Sequence, residues 1–390
     1  MMDYENLISR AAAEMRPSGI RKFFDIAAEM KDCISLGVGE PDFKTPWAIR
    51  DAGIRSLEKG RTWYTSNAGL KELRAEVCAY LARRFGLDYT VPETLITVGG
   101  SEAIDLCIRT LVEPGDEVII PEPCFVCYDP ITTLTGGVPV PIPLKAENGF
   151  KLTAAELKAA LTPKTKLLIL PFPNNPTGAM MTREELEPLA EVLRQTNVMV
   201  LSDEIYAELT YGDKRHCSIA GLPGMRERTV VVNGFSKSYA MTGWRLGYAC
   251  GPEPILSVMT KVHQSAIMCA PSTSQYAALT ALKSCDADIE AMRQEYDTRR
   301  RFVVARLNAM GLTCFEPEGA FYVFPSIRSS GLSSEEFAKQ LLFAKKVAVV
   351  PGTAFGASGE GFVRISYSYS VAHLSEALRR IGDFLQELRA

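Results

Sequence analysis

Gly234-Phe235-Ser236-Lys237-Ser238-Tyr239-Ala240-Met241-Thr242-Gly243-Trp244-Arg245-Leu246-Gly247-Tyr248 comes just after a run of strand character, Thr229-Val230-Val231-Val232. The order is strand, lysine, small-residue turn, arginine. A lysine amine held at a strand end can condense with an aldehyde, and an arginine eight positions later can hold a phosphate. An unperturbed lysine titrates at ~10.4, and burial or cationic neighbours lower that value and free the amine. Arg245 supplies part of such a field. The plain alternative, a solvated loop lysine, fits poorly with the small residues and Trp244 that surround Lys237.

Upstream the same strand-then-turn arrangement recurs. Between about residues 95 and 235 the runs Leu95-Ile96-Thr97-Val98, Glu117-Val118-Ile119-Ile120, Lys166-Leu167-Leu168-Ile169-Leu170 and Val198-Met199-Val200-Leu201 alternate with helix-like segments. One of these, Arg183 to Gln195, has its apolar residues at helical spacing (Leu186, Leu189, Val192, Leu193). Alternating strands and helices predict an α/β architecture with a mostly parallel sheet and right-handed crossovers. The C-terminal part reads differently. A long polar helix is expected from about Asp286 to Met310, then strands at Phe321–Phe324, Val347–Val350 and Phe362–Ser366, then an amphipathic helix from about His373 to Leu388. This pattern predicts a smaller α+β unit. Ile34-Ser35-Leu36 is a strand with no neighbour in the first stretch, so the N-terminal ~45 residues are expected to pack with that unit. The resulting boundaries are a large domain over 46–284 and a small one made of 1–45 and 285–390.

In open α/β sheets ligands bind beyond the carboxyl ends of the strands, and three strand ends here carry polar groups. Gly99-Gly100-Ser101-Glu102 opens a helix whose free N–H groups suit an anion, although a tight turn alone also explains the glycines. Asp203 follows the strand Val198–Leu201 and can pair with a protonated pyridine nitrogen; a helix-capping aspartate is the plain alternative. At ~4 Å and an effective dielectric of ~20 such a pair gains about 4 kcal/mol, enough to hold the nitrogen protonated by about three pH units. Tyr206 lies three residues on and can donate to a phenolate oxygen. Asn175 sits in the turn Pro173-Asn174-Asn175-Pro176-Thr177-Gly178, whose composition turn chemistry also explains. Aldehyde, phosphate, pyridine nitrogen and phenolate together describe pyridoxal 5'-phosphate.

The composition agrees. The 390 residues are 47% hydrophobic and 23% charged, as in soluble globular proteins, and exceed one ~150-residue domain. A net charge of −3 gives no reason to expect a nucleic-acid or membrane partner. Met1-Met2-Asp3-Tyr4-Glu5 has no basic region before an apolar run, which predicts no secretory leader, and no stretch nears the ~20 apolar residues of a membrane span. The ten cysteines lie scattered among apolar residues, which predicts reduced thiols and a cytoplasmic protein. Cys124 and Cys127 have metal-site spacing, but no second pair exists, so no metal is expected.

These residues resemble those of class I/II pyridoxal-phosphate-dependent aminotransferases of the aspartate aminotransferase fold type, over nearly the whole chain. The likeness is greatest to the subgroup that includes N-acetyl-L,L-diaminopimelate and aromatic aminotransferases. It implies a seven-stranded, mostly parallel sheet in the large domain. It also implies amino-group transfer between an L-amino acid and a 2-oxoacid through a Schiff base on Lys237, which then shuttles the proton. By the same resemblance Asp203 pairs with the ring nitrogen, Tyr206 and Asn175 bond the ring oxygen, and Phe125 stacks on the ring. The backbone of Gly100, Ser101 and Glu102, with Ser236 and Arg245, binds phosphate. Gly39, in Gly39-Glu40-Pro41-Asp42-Phe43, and Arg364, in Val363-Arg364-Ile365-Ser366-Tyr367, bind the substrate α-carboxylate together with Asn175. Tyr64, in Tyr64-Thr65-Ser66-Asn67-Ala68-Gly69-Leu70, reaches the neighbouring subunit's phosphate in a homodimer.

Two positions depart from that pattern. Gly234 stands where many relatives have a phosphate-binding serine, leaving Ser236 or Ser238 to compensate. Ser101 stands where some aspartate-using relatives have lysine, which argues against a dicarboxylate substrate. Two other readings remain: a different pyridoxal-phosphate chemistry such as a C–S lyase, and a non-catalytic sensor that kept the cofactor site. The run Gly243–Tyr248 resembles the transferases more than the lyases, and the chain has no room for the DNA-binding module such sensors carry.

Overall fold

The computed structural model describes residues 29–389 without a break, together with residues 2, 4, 7–13 and 15. In chain order the strands are β1 (Ile34–Ser35), β2 (Thr94–Thr97), β3 (Glu117–Glu122), β4 (Val138–Pro143), β5 (Thr165–Leu170), β6 (Met199–Asp203), β7 (Thr229–Gly234) and β8 (Gly247–Cys250), then β9 (Tyr322–Val323), β10 (Val347–Ala348), β11 (Val350–Pro351) and β12 (Val363–Ser366). Seven of them form one sheet in the order β2-β8-β7-β6-β5-β3-β4. β8 runs antiparallel to both its neighbours, and the other pairings are parallel. All the strands except β8 therefore point the same way, and their carboxyl ends share one edge.

Alternation along the strands buries this sheet on both faces. Leu167 and Ile169 of β5, Val230 and Val232 of β7 and Leu95 of β2 enter one cluster, with Ile104 and Cys107 of the helix Gly99–Leu111 and Met259 of the helix Glu253–Ala266. Leu168 and Leu170 turn the other way, onto Leu186, Leu189 and Leu193 of the helix Arg183–Arg194. Val231 and Ile96 meet the helices Lys71–Phe85 and Ser272–Ser284 on that same side. Strands covered on both faces read as continuous apolar runs, which is why five of the seven stood out in the sequence.

Two did not. β4 carries Pro139, Pro141 and Pro143 at alternate positions and is an edge strand bonded only to β3. The prolines lack N–H groups where no neighbour needs them. β8 lies within the lysine stretch, where its glycine and turn residues mask a short strand. The third difference concerns Val347–Val350, expected as one strand. β10 pairs in parallel with β1, whereas β11 pairs antiparallel with β12, so Val349 is the point where the chain passes from one small sheet to the other.

Beyond residue 285 the expected helices run Asp286–Ala309 and Val371–Arg389, joined by Ser334–Lys345. They bury Tyr296, Val303, Leu341, Leu378 and Ile381 against β9 and β12. Leu36, next to β1, is fully buried in the same cluster and donates its N–H to Ala348. Residues 34–36 are thus held by a strand pairing and by a leucine whose burial contributes about 2 kcal/mol, and the rest of the expected N-terminal packing, over residues 16–28, lies outside the described residues.

Candidate active site

The ends of β2, β5, β6 and β7 open into a cleft of about 600 Å³. Gly100 and Ser101, Asn175, Asp203 and Tyr206, and Ser236 and Lys237 reach it from those four ends, and Arg245, Phe125, Gly39 and Arg364 complete it. Of the residues expected at the site, only Glu102 and Tyr64 do not line it.

Lys237 donates from Nζ to the carbonyl of Gly39 at 2.7 Å. Among the described residues no carboxylate lies within ion-pair distance of it. Burial pushes its amine down to about 8, Arg364 and Arg245 push in the same direction, and Glu40 and Asp203 oppose them. The amine is therefore far easier to deprotonate than a surface lysine, as nucleophilic chemistry requires. Glu40 lines the cleft beside it and had no role in the sequence reading.

Asp203 is buried. It accepts from the Tyr128 hydroxyl at 2.7 Å and from the Ile205 N–H at 3.2 Å. A turn, not a helix, follows it, so it is no helix cap. Burial raises its carboxyl to about 6 in spite of these two bonds. Lys237 acts on it from a distance, but among the described residues no cation is in ion-pair contact with this carboxylate. A protonated ring nitrogen would supply one, and this fits the expected cofactor.

Arg364 is the counterpart case. Its guanidinium lies between the rings of Tyr322 and Phe355, with 4.5 and 4.8 Å to their centroids. Nη1 donates to Asn175 Oδ1 at 2.9 Å, Nη2 donates to the Gly37 carbonyl, and Nε is buried without a partner. No carboxylate among the described residues pairs with it, so its charge is not part of an ion pair there. Burial lowers its pKa. A desolvated guanidinium with a free donor is a receptor for a carboxylate.

The end of the cleft expected to hold an anion brings a helix N-terminus, Arg245 and Ser236 together. Gly99 has φ +76°, and a Cβ there would lie 2.9 Å from Arg245 Nη2. Glycine thus lets the arginine lie against the first turn of the helix. Arg245 is itself left-handed at φ +49° and donates from Nη1 to the Thr242 carbonyl at 3.0 Å. At Gly234 a Cβ would sit 3.0 Å from the Gly247 Cα, so β7 and β8 close tightly there. Ser236 lines the cleft and Ser238 does not, which selects Ser236 as the available hydroxyl. The Glu102 side chain turns back, accepting from the Val98 N–H and lying 2.8 Å from His263 Nδ1. Only its backbone can serve an anion.

In the Asn175 turn, Asn174 Oδ1 accepts from the Thr177 N–H and hydroxyl at 3.2 and 2.9 Å. Phe125 meets Tyr128 edge-on at 5.9 Å. Tyr206 is buried, with its hydroxyl 2.8 Å from that of Tyr322. Tyr64 is 76% exposed, outside the cleft of its own chain. Tyr128 and Tyr322 had no site role in the sequence reading. Tyr128 lies three positions after Phe125 at a helix start, a spacing that was the available signal. All ten cysteines are free, and among the described residues no group of three His, Cys, Asp or Glu side chains is placed to hold a metal. Among the same residues no helix is long and apolar enough to cross a membrane.

A sequence model of the family described as "Aminotransferase class I and II" matches residues 31–381. A Bacillus subtilis (strain 168) protein with the provisional name aminotransferase YugH is 55% identical over 381 residues, 97% of this chain and 98% of its own. The aspartate aminotransferase of Pyrococcus abyssi is 46% identical, over 96% of this chain and 97% of its own. Among solved structures, the aromatic aminotransferase of Pyrococcus horikoshii superposes with a TM-score of 0.90 at 43% identity, over 95% of this chain and 99% of that one.

Proposed function

Because this chain belongs to the class I and II aminotransferases, it is an enzyme of amino-group transfer, and we propose that it works with pyridoxal 5'-phosphate bonded to Lys237. Its donors are neutral, aromatic or long-chain L-amino acids, and its acceptor is a 2-oxoacid. The cofactor, when bound, supplies an aldehyde to take up the amino group and an electron sink for the bond broken at the substrate Cα.

The protein's part is binding, orientation and proton movement. Asp203 holds the positive ring nitrogen, Tyr206 and Asn175 donate to the ring oxygen, and Phe125 covers a ring face. The N–H groups of Gly100, Ser101 and Glu102, with Ser236 and Arg245, hold the phosphate. Arg364 grips the α-carboxylate beside Gly39 and Asn175. Lys237 Nζ, once displaced by the substrate amine, is the base that takes the Cα proton, and its lowered pKa supports that role.

One observation carries the donor class. Among the described residues that line the cleft, the cations are Lys237, Arg245 and Arg364. Cofactor, phosphate and α-carboxylate engage all three, so the cleft lining of a single chain leaves none for a distal carboxylate. We also read the active form as a homodimer. The exposure of Tyr64 at 76% and of its neighbour Trp63 at 67% supports a surface that a second copy covers. The division into a large domain over 46–284 and a small one over 1–45 and 285–390 that closes on substrate, and the cytoplasmic setting suggested by free thiols, belong to the same reading.

A panel of amino donors tests this. Each donor is mixed with loaded enzyme, and the cofactor recovered as its amine is measured, followed by turnover with 2-oxoglutarate. Phenylalanine, leucine or longer donors should outperform aspartate. A clear preference for aspartate would sink the donor class, and release of pyruvate and ammonia would replace transfer by lyase chemistry.

A further inference from the structure

Tyr322 lies at the junction between the two halves of this site, touching Tyr206 on one side and Arg364 on the other. Its position follows from strand pairing. In the antiparallel pair of β9 and β12, Tyr322 is opposite Ser366 and Ile365 is opposite Val323. Tyr322 and Arg364 therefore share one face as diagonal neighbours, close enough for an aromatic side chain to reach its partner. The ring lies under the guanidinium, 4.5 Å from centroid to Cζ. At its other end the hydroxyl is 2.8 Å from that of Tyr206. Gly39 makes the space for it, since a Cβ at Gly39 would lie 2.6 Å from the Tyr322 oxygen. The residue is 1% exposed and lines the cleft, and its hydroxyl has Tyr206 as its hydrogen-bond partner among the described residues.

We propose that Tyr322 is a positioning residue with two separable functions: its hydroxyl donates to Tyr206 and strengthens the hydrogen bond Tyr206 gives to the cofactor's ring oxygen, and its ring fixes the plane in which Arg364 receives the substrate carboxylate. The inference rests on the pyridoxal-phosphate reading above. The direction of the hydroxyl pair follows from proton count. Each phenol has one proton, so if Tyr206 donates to the ring oxygen, the proton between the two tyrosines comes from Tyr322. A donor that is itself a hydrogen-bond acceptor is polarised and donates more strongly. The ring acts on geometry. A buried guanidinium stacked on an aromatic face loses little further freedom when it meets a carboxylate bidentately.

The two functions are read by two variants of the loaded enzyme. Tyr322→Phe keeps the ring and removes the hydroxyl, and Tyr322→Leu removes both. The first readout is the pH midpoint of the visible absorption band, which reports how firmly the proton at the lysine–cofactor linkage is held. That proton competes with Tyr206 for the ring oxygen, so a weaker Tyr206 bond raises the midpoint. Tyr322→Phe is expected to raise it by roughly 0.3 of a unit or more, with donor KM values within about twofold of wild type. Tyr322→Leu is expected to show the same shift and also an approximately tenfold higher KM for phenylalanine and leucine alike. In a Tyr206→Phe background, adding Tyr322→Phe is expected to shift the midpoint no further. An unchanged midpoint in Tyr322→Phe overturns the hydroxyl's role, and an additive shift in the Tyr206→Phe background overturns its route through Tyr206. Unchanged KM values in Tyr322→Leu overturn the ring's role. If wild-type enzyme with pyridoxal phosphate shows no titrating band, the parent reading fails and this one falls with it. A normal wild-type titration with silent variants overturns this inference alone.

Discussion

Arg364 donates to the side-chain oxygen of Asn175 at 2.9 Å, across a separation of 189 positions in the chain. Arginine has no acceptor, so this bond fixes which end of the Asn175 amide is oxygen and leaves the NH2 group for the cleft. One contact thus orients the donor that we propose meets the cofactor and the guanidinium that we propose meets the substrate. It also makes a prediction. Arg364→Lys loses the planar fork and, with two charge-assisted bonds weakened, should lower kcat/KM by about a hundredfold, or ~2.7 kcal/mol. The loss should be similar for every amino donor, because all share the α-carboxylate. Steady-state kinetics with three donors checks this, and a defect confined to one donor would place Arg364 at the side-chain pocket.

The low pKa of Lys237 predicts the pH dependence of cofactor capture. Only the neutral amine attacks an aldehyde. With the amine at about 8, the rate at which cofactor-free protein takes up pyridoxal phosphate should rise about tenfold per unit up to about pH 8 and then level off. An ordinary lysine would keep rising to ~10.4. Stopped-flow absorbance measures the profile, and borohydride reduction followed by peptide mapping should place the label on Lys237. Label on another lysine would refute the central assignment.

For Asp203 the sign runs against stability. Its folded carboxyl, at about 6, lies above the ordinary ~3.9, so the folded state binds that proton more tightly than the unfolded one. Cofactor-free protein should lose about 3 kcal/mol from this group as the pH rises from ~4 through about 6. Asp203→Asn removes the charge and should raise the melting midpoint of cofactor-free protein at pH 8 while changing little at pH 4. The same variant should slow transfer by about a thousandfold, because the ~4 kcal/mol pairing with the ring nitrogen is lost. Calorimetry at the two pH values with an activity assay tests both. A variant that is as active as wild type would show that another group pairs with the nitrogen.

Tyr64 tests the assembly. Tyr64→Phe removes one hydroxyl from an exposed side chain and should leave the fold intact. If the residue serves a neighbouring subunit's phosphate, affinity for pyridoxal phosphate should fall about fivefold, the worth of one hydrogen bond, while affinity for pyridoxal stays the same. Sedimentation should show a dimer. A fully active monomer would defeat this claim.

What the sequence alone determined were features carried by single segments. β2, β3, β5, β6 and β7 announce themselves because the middle of a strand covered on both faces is a run of apolar residues. The lysine, the arginine eight residues later, the aspartate at the end of β6 and the asparagine turn after β5 are each legible because a strand end and its turn are adjacent in the chain. β4 and β8 were not legible: alternate prolines are tolerated only because β4 is an edge, and β8 is a strand only because β2 and β7 flank it.

Tertiary structure decided the pairings. That Lys237 rests on the Gly39 carbonyl, that Tyr128 bonds Asp203, that Tyr322 joins Tyr206 to Arg364, and that the Glu102 side chain faces His263 instead of the cleft are all relations between distant segments. So are the charge states. The Lys237 amine and the Asp203 carboxyl are shifted because other parts of the fold remove water from them, and no local pattern records which residues will do that covering. Hydrophobic period and turn chemistry belong to the segment that carries them, whereas desolvation and contact belong to whatever the rest of the chain brings alongside.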